Sequence, residues 1–192
     1  MTDISVLKCW DSRGEIIMEG TYFSYYPSPI GILKISFTAK KIYKIQFIKE
    51  IDKIDENCCN GVFFKNKKVR DTYNLIYDQL NEYFTGKRKS FDLPMYLDGT
   101  DFQVKVWKNI SQIPYGEVRS YKEVAEAINH PHAARAVGNA AKQNSLIILI
   151  PCHRVVSTKG EIKGYNGGVR RKKWLLKHES KYMYDKTLER KI

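Results

Sequence analysis

Cys152 and His153 are the two side chains in this sequence whose types and position best fit a chemical reaction. They follow the apolar residues 147–150 (Ile-Ile-Leu-Ile) and Pro151. A run of four aliphatic residues predicts a short strand buried on both faces. The proline that follows ends the hydrogen bonding of the strand and turns the backbone. The sequence therefore predicts a soft nucleophile beside an imidazole, held against a dry and rigid wall.

An inert core residue is the alternative interpretation of Cys152, because cysteine is among the most buried residue types and most buried thiols are unreactive. Two basic residues, His153 and Arg154, follow the apolar run directly. Burying such polar groups without partners costs roughly 2–7 kcal/mol each. The pair therefore favours a reactive site over an inert thiol.

The composition predicts a folded protein that meets a polyanion. Of the 192 residues, 43% are hydrophobic and 28% are charged, which fits one sizeable core or two small ones and argues against disorder. The net charge is +12, and residues 91–192 hold 18 Lys and Arg against 10 Asp and Glu. No long apolar segment or lipidation motif favours a membrane, so we expect nucleic acid to bind the second half.

Cysteine and histidine usage predicts neither disulfides nor a metal. The four cysteines (Cys9, Cys58, Cys59, Cys152) form no disulfide framework and no C-x-x-C pair, and no histidine precedes His130. The amino terminus lacks the pattern of a secretory signal. We therefore expect a cytoplasmic protein with reduced thiols and no metal site.

The first half of the chain predicts a small sheet covered by one helix. Apolar residues alternate in 31–37 and again in 43–47, which predicts a β-hairpin with one buried face. Residues 1–20 suggest strand and turn, and residues 49–61 an exposed connection. Apolar side chains then recur at helical spacing from Val69 to Phe84, and Gly86 is placed to end that helix.

The second half predicts helices with well-marked starts and a helix-turn-helix. The pairs Thr100/Gln103 and Ser120/Glu123 both match the capping box. Asn129-His-Pro131 breaks the second helix, and the alanine-rich residues 132–142 follow it. A short helix, a tight turn and a second helix are typical of DNA-binding proteins. Tight core packing is the alternative explanation for the small residues between 133 and 141.

A glycine-rich loop and a final helix complete the second half. Gly164-Tyr-Asn-Gly-Gly168 contains too much glycine for a helix or strand. Residues 169–179 predict an amphipathic helix with Trp174, Leu175 and His178 inward, and residues 180–192 a polar, partly frayed tail.

Together these segments resemble a known family. Pro151-Cys-His-Arg-Val-Val156, with Arg135-Ala-Val-Gly138, Asn144 and Gly164-Tyr165, is similar to the methylated-DNA–protein-cysteine methyltransferases, also called O6-alkylguanine-DNA alkyltransferases. The similarity covers residues 91–180 closely and the first half only in its general pattern. It implies an α+β protein: a ribonuclease H-like sheet-and-helix domain over residues 1–90, then a mainly helical, winged-helix-like DNA-binding domain over residues 91–192.

The resemblance also implies an activity. Family members repair DNA by direct reversal, moving the alkyl group of O6-methylguanine irreversibly to a cysteine, here Cys152, once per molecule and without a cofactor. O4-methylthymine is a further expected substrate. The implied partner is double-stranded DNA, bound by a monomer through the minor groove, with the damaged nucleotide turned out of the stack because its reactive atom cannot be reached inside a duplex.

The resemblance assigns roles to ten residues. In the catalytic group, Glu179 orients His153, His153 activates Cys152 through a water molecule, and Asn144 supports the active-site turn. In the binding group, Tyr121 bonds the purine N3 and helps neutralise the departing guanine, and Arg135 enters the stack in place of the extruded nucleotide. The remaining residues of the binding group are Ser120, Tyr165, Asn166 and Gly167.

Two positions depart from the family pattern. The histidines with which many members bind zinc in the first domain are missing, so no metal is expected. Asn166 stands where some relatives carry serine and others a larger residue. If only its backbone N–H contacts the guanine O6, the change is harmless; if its side chain shapes the pocket, tolerance of bulky alkyl groups changes.

Two other functions remain alternatives from the sequence. A DNA-binding regulator without catalysis would explain the helix-turn-helix and the charge, but such proteins lack the cysteine. A cysteine hydrolase using Cys152 and His153 would leave the basic helix-turn-helix unexplained, and hydrolases usually bring their histidine from elsewhere in the chain.

Overall fold

The computed structural model describes residues 8–10, 16–18, 20–48, 65–162 and 164–189, and side chains within 20–48, 65–162 and 164–183. The predicted exposed connection at residues 49–61 lies outside the described residues. Among the described residues, no helix is both long and apolar enough to cross a membrane.

The described residues of the first half form two antiparallel sheets. Strands β1 (Lys8–Trp10) and β2 (Ile16–Met18) pair with each other. Strands β3 (Tyr22–Ser28), β4 (Gly31–Phe37) and β5 (Ile42–Phe47) form the larger sheet in the order β3-β4-β5. The β4–β5 hairpin confirms the alternating pattern, whereas β3 was not predicted.

The prediction that the hairpin has a single buried face was wrong for β4. This strand is central, and Lys34 and Ser36 on its second face are only 6% and 8% exposed. A register shift between Ser36 and Phe37 also pairs Phe37 with Ile42, so Ile42 and Ile45, and not Tyr43, are the buried residues of β5. Period-2 patterns do not reveal such bulges in advance.

Helix α1 (Lys67–Phe84) covers the sheet as predicted. Its inward side chains include Val69, Ile76 and Leu80, and the ring of Phe84 stacks on Tyr26 of β3 at 5.8 Å. Gly86 follows with φ 77°, the left-handed conformation that suits glycine after a helix.

Helices α2 (Asp101–Ser111), α3 (Tyr121–Ala127) and α4 (Ala134–Lys142) form the centre of the second half. Both predicted capping boxes are present in full. Asn129, with φ 62°, turns the chain between α3 and α4. The core is continuous from the sheet through these helices, and bridges from Ile42 to Met95 and from Ile45 to Leu146 join the two halves.

Residues 147–150 do not form the predicted strand. They are buried, between 1% and 5% exposed, but they form a tight turn in which Ile148 has φ 75° and the Ile150 N–H bonds the Leu146 carbonyl. The apolar character of these residues predicted their burial correctly, but it does not distinguish a strand from a buried turn. A turn can be buried here because the Asn144 side chain bonds the backbone groups of Leu146 and Ile150 that a neighbouring strand would otherwise bond.

A short 3₁₀ turn, Cys152–Arg154, follows directly, and β7 (Val155–Val156) then pairs in parallel with β6 (Arg119–Ser120). Helix α5 runs from Val169 to Glu189. It buries Leu175 and His178 as predicted, with Trp174 partly buried. The prediction of a partly frayed tail after residue 179 was wrong up to Glu189, since the helix continues through it.

Candidate active site

The Cys152 thiol lies in the core at the start of the 3₁₀ turn. The residue is 2% exposed, and Asn144 Nδ2 lies 3.1 Å from its Sγ. Burial raises the pKa of the thiol to about 11, although the Asn144 hydrogen bond and the charge of Lys172 act in the opposite direction. The resting thiol is therefore protonated at neutral pH and needs a base.

Asn144 is the residue around which the active-site turn closes. Its Nδ2 also donates to the Ile150 carbonyl at 3.0 Å, and its Oδ1 accepts from the Leu146 N–H at 2.9 Å. These bonds satisfy backbone groups that would otherwise be unpaired in the core. The same amide thus fixes both ends of the buried turn and contacts the sulfur.

His153 is buried beside this turn and bonded to Glu179. Its Nε2 lies 2.8 Å from Glu179 Oε1, and both side chains are fully buried. Burial lowers the pKa of His153, against the attraction of Glu179, so the ring is neutral at pH 7. Because a carboxylate only accepts hydrogen bonds, Nε2 carries the proton and Nδ1 keeps a free lone pair. Nδ1 is buried and has no partner among the described residues.

Glu179 accepts hydrogen bonds from several elements besides His153. Arg154 donates to both carboxylate oxygens at 2.9 Å, the Tyr83 hydroxyl donates at 2.7 Å, and the Gly116 N–H donates at 3.0 Å. Burial alone would raise the pKa of this carboxyl, but His153 and Arg154 together hold it well below its usual value. Glu179 is therefore ionised throughout the physiological range and fixes the orientation of His153.

Lys172 of α5 was not predicted as a site residue, yet it is fully buried and interacts electrostatically with Cys152. Its Nζ donates to the carbonyls of Val155 at 2.5 Å and Gly164 at 3.3 Å. Burial lowers its pKa to about 8, while the nearby thiol acts to raise it. The ammonium group thus supplies positive charge near the sulfur.

Ser120 and Tyr121 reach the site through the β6–β7 pairing, which places Ser120 opposite Val156. The Ser120 hydroxyl accepts from the Glu123 N–H at 3.1 Å and so begins α3. Tyr121 follows, half-buried. Burial and then the neighbouring Cys152 raise the pKa of its hydroxyl. Its ring would lie 3.7 Å from a β-carbon placed on Gly138, so α4 packs close beside it.

The loop at residues 164–168 forms another wall of the site. The Tyr165 ring packs edge-on to His153, with centroids 6.3 Å apart, and its hydroxyl is buried without a partner among the described residues. The Asn166 side chain donates to the Asn144 carbonyl at 3.0 Å. This amide therefore links the loop to the active-site turn. Gly167 lies against Tyr165 and Phe47.

Helix α4 divides its small residues between two faces. Val137, Ala140 and Ala141 are buried in the core, whereas Arg135, Ala136 and Lys142 are exposed. Tight packing and an open basic surface are therefore both present, on opposite sides of one helix. Arg135 lies at the exposed start of α4.

The structure gathers Cys152, His153, Glu179, Asn144, Tyr121, Tyr165 and Asn166 around one centre. Arg154, Tyr83 and Lys172 contribute to it and were not assigned by sequence reasoning. Arg154 could have been found from the sequence, since an arginine that follows a buried segment needs a carboxylate partner. Tyr83 could not, because its helical spacing is that of an ordinary core residue.

This arrangement can run a nucleophilic displacement. A soft sulfur, a neutral imidazole with a free Nδ1 and an ionised carboxylate that holds the imidazole are the parts of a thiol activated by a base.

Comparisons with known proteins agree with this geometry. Residues 21–97 match the family described as "6-O-methylguanine DNA methyltransferase, ribonuclease-like domain" and residues 101–181 match its "DNA binding domain". The chain is 41% identical over 158 residues to a Methanosarcina barkeri methylated-DNA–protein-cysteine methyltransferase, covering 82% of this chain and 96% of that protein. The chain belongs to this methyltransferase family.

Further relatives support the assignment. The constitutive methylated-DNA–protein-cysteine methyltransferase of Bacillus subtilis is 40% identical over 148 residues, covering 76% of this chain and 87% of that protein. The crystal structure of Mycobacterium tuberculosis OGT in complex with DNA superposes with a TM-score of 0.71 at 36% identity, covering 84% of this chain and 94% of that chain. The predicted family, α+β fold and direct-reversal repair by alkyl transfer to a protein cysteine are confirmed. The boundary between residues 90 and 91 stays a prediction.

Proposed function

We propose that Cys152 accepts the alkyl group of O6-methylguanine in double-stranded DNA. The sulfur attacks the alkyl carbon, the bond from that carbon to guanine O6 breaks, and a thioether forms on Cys152. Because a thioether sulfur has no ready leaving route, each molecule reacts once. The observation that carries this proposal is the His153–Glu179 contact of 2.8 Å beside a buried thiol, in a chain of this methyltransferase family.

In this proposal the thiol proton leaves through His153. The free Nδ1 accepts it through a bridging water, and Glu179 stabilises the imidazolium that forms, as a carboxylate does for a catalytic histidine. Tyr121 hydrogen-bonds the purine N3 and neutralises the departing guanine. Asn144 holds the turn, and Lys172 stabilises negative charge on sulfur.

We also assign the binding residues to an extruded base. Tyr165 and Gly167 form the wall of its pocket, the backbone N–H of Asn166 faces the guanine O6, and Ser120 begins the helix that carries Tyr121. Arg135 fills the gap left in the stack and offsets part of the few kcal/mol that unstacking costs. A monomer bound in the minor groove of double-stranded DNA, O4-methylthymine as a second substrate and a cytoplasmic location remain predictions of the same proposal.

Intact mass after mixing with a duplex carrying a single O6-methylguanine tests the proposal. We expect one CH2 increment per molecule, mapped to Cys152, and no increment in Cys152→Ser. Continued turnover, or an increment on another residue, would contradict it.

Arg135→Ala tests the extrusion role separately. Since unstacking is needed only in a duplex, the variant should slow repair of duplex DNA at least about tenfold, which is about 1.4 kcal/mol, and leave the reaction with free O6-benzylguanine unchanged. Lys105→Ala, an exposed basic residue of α2, removes the same charge and serves as the control. Equal slowing on both substrates would remove the extrusion role.

A further inference from the structure

Arg171 on the first turn of α5 joins three separate parts of the chain. Its Nε donates to the Ile30 carbonyl in the β3–β4 turn at 2.7 Å, and its Nη1 donates to the Gly167 carbonyl in the 164–168 loop at 3.0 Å. Its guanidinium also stacks on the Phe47 ring at the end of β5, 4.1 Å from the ring centroid. A single side chain thus links the first-half sheet to the loop beside the thiol.

The contacts of Arg171 and Phe47 with the turn and the loop are tightly packed. A β-carbon on Gly31 would lie 2.9 Å from Arg171 Nη2, and one on Gly167 would lie 2.8 Å from the Phe47 ring. The guanidinium and the Phe47 ring therefore pack directly against the backbone of the turn and of the loop. Arginine is suited to this position because its planar fork donates in two directions and stacks at once, which lysine cannot do.

The loop needs such an anchor because glycine makes it conformationally free. Gly164 and Gly168 both adopt positive φ, at 57° and 90°, and a glycine-rich segment loses much backbone entropy when it is fixed. Two other anchors come from the second half: Asn166 to Asn144, and Lys172 to Gly164. Arg171 supplies the anchor that reaches the first-half sheet.

We propose that Arg171 is a positioning residue through which the first-half sheet sets the shape of the base pocket. This inference rests on the proposed function, in which the 164–168 loop holds the extruded guanine. The sheet then contributes to how tightly a base is held, although none of its residues contacts the reacting atoms. Cys152 and its activation by His153 do not depend on Arg171.

Saturation kinetics with free O6-benzylguanine test this proposal without involving DNA charge. Arg171→Met should raise the concentration that gives the half-maximal rate about tenfold, the size expected for loss of one hydrogen bond from a charged donor. The limiting rate should stay within about twofold, and labelling of Cys152 by iodoacetamide should be unchanged. Arg171→Lys should lose most of the same affinity, since it keeps the charge but not the fork.

Arg170→Met is the matched control, because Arg170 is exposed on the same helical turn and the substitution removes the same charge. It should bind the base like the wild type. Phe47→Leu removes the aromatic partner of the Arg171 guanidinium. It should raise the half-saturating concentration about threefold, the order expected for a lost cation–π contact.

Two results would overturn the inference. The first is saturation of Arg171→Met at the wild-type concentration. The second is a joint fall in its limiting rate and its iodoacetamide labelling, which would indicate general damage to the site. A wild-type protein that forms no adduct on Cys152 with either substrate would instead overturn the proposed function.

Discussion

Glu179 and Cys152 are both buried, yet their surroundings differ in nearly every respect. Glu179 accepts hydrogen bonds from His153, Arg154, Tyr83 and Gly116. At Cys152 Sγ the hydrogen-bond donors are the Asn144 amide and the backbone N–H groups of Cys152 and His153, and the flanking residues 147–150 are apolar. Hydrogen bonds and positive charge outweigh burial at Glu179, whereas burial outweighs them at Cys152.

The difference separates two tasks. A carboxylate that only orients a histidine works best when it never changes charge or position, and many donors ensure both. A nucleophile must remain reactive, and the intrinsic nucleophilicity of a thiolate falls as its pKa falls. Because burial keeps the pKa of the Cys152 thiol high, the nucleophilicity of the sulfur is preserved, and His153 removes the proton when the substrate is in place.

Glu179→Gln should have the largest effect on stability. It leaves Arg154 buried without its charge partner, and breaking a buried pair in this way costs about 3–5 kcal/mol. Urea unfolding at neutral pH measures it. Glu126→Gln, which removes an exposed carboxylate 3.7 Å from Lys122, should cost less than about 0.5 kcal/mol. A loss below about 1 kcal/mol at Glu179 would mean that the network is not rigidly coupled.

Asn144→Ala should have the second largest effect, at the Cys152 end of the site. The backbone groups of Leu146 and Ile150 lose their partners, which costs about 1–3 kcal/mol for a buried unsatisfied group. Alkyl transfer should slow further, because the turn that presents Sγ is released. Asn139→Ala on the exposed face of α4 is the control for stability. Transfer from free O6-benzylguanine at the wild-type rate would show that Asn144 does not position the sulfur.

Tyr83→Phe should have the smallest effect of the three. It removes one donor from Glu179 and leaves the others, so we expect a loss of about 1 kcal/mol in unfolding free energy and a modest slowing of transfer. Tyr77→Phe changes the same group on the same helix and should cost less than about 0.5 kcal/mol. If Tyr83→Phe matched that control, the first-half helix would have no part in holding Glu179.

Local signals in the sequence were enough for much of the fold. The two capping boxes set the starts of α2 and α3, and apolar spacing gave α1 and the inward face of α5. These features depend on residues a few positions apart. The turn at 147–150 could not be predicted in the same way, because its conformation depends on the Asn144 amide as well as on its own apolar character.

The site residues that lie within a sequence motif could be predicted. Cys152 and His153 stood out from their own neighbours, and Glu179 and Tyr121 came only through the family resemblance. The Tyr83 and Gly116 bonds to Glu179 join positions 96 and 63 residues apart. No local pattern encodes such pairs, and the same is true of the contact between Arg171 and Ile30.

The central claim is that His153, held by Glu179, takes the proton from Cys152. The pH dependence of single-turnover methyl transfer from an O6-methylguanine duplex tests it most directly. Since the pKa of His153 is lowered, its neutral form is present above the usual histidine value, so the rate should be level from about pH 7 to 8 and fall only below the usual histidine range. Above about pH 8 the rate should not rise, because Lys172, whose pKa is about 8, loses the charge that stabilises the sulfur. His153 and Glu179 both have a lower pKa in the folded protein than in the unfolded chain. The unfolded chain therefore binds more protons in acid, and the free energy of unfolding falls as the pH falls. For this reason folding is checked by circular dichroism at each pH. A rate that climbs about tenfold per pH unit from about pH 6 to 8 would contradict the claim, because it would mean that solvent alone ionises the thiol.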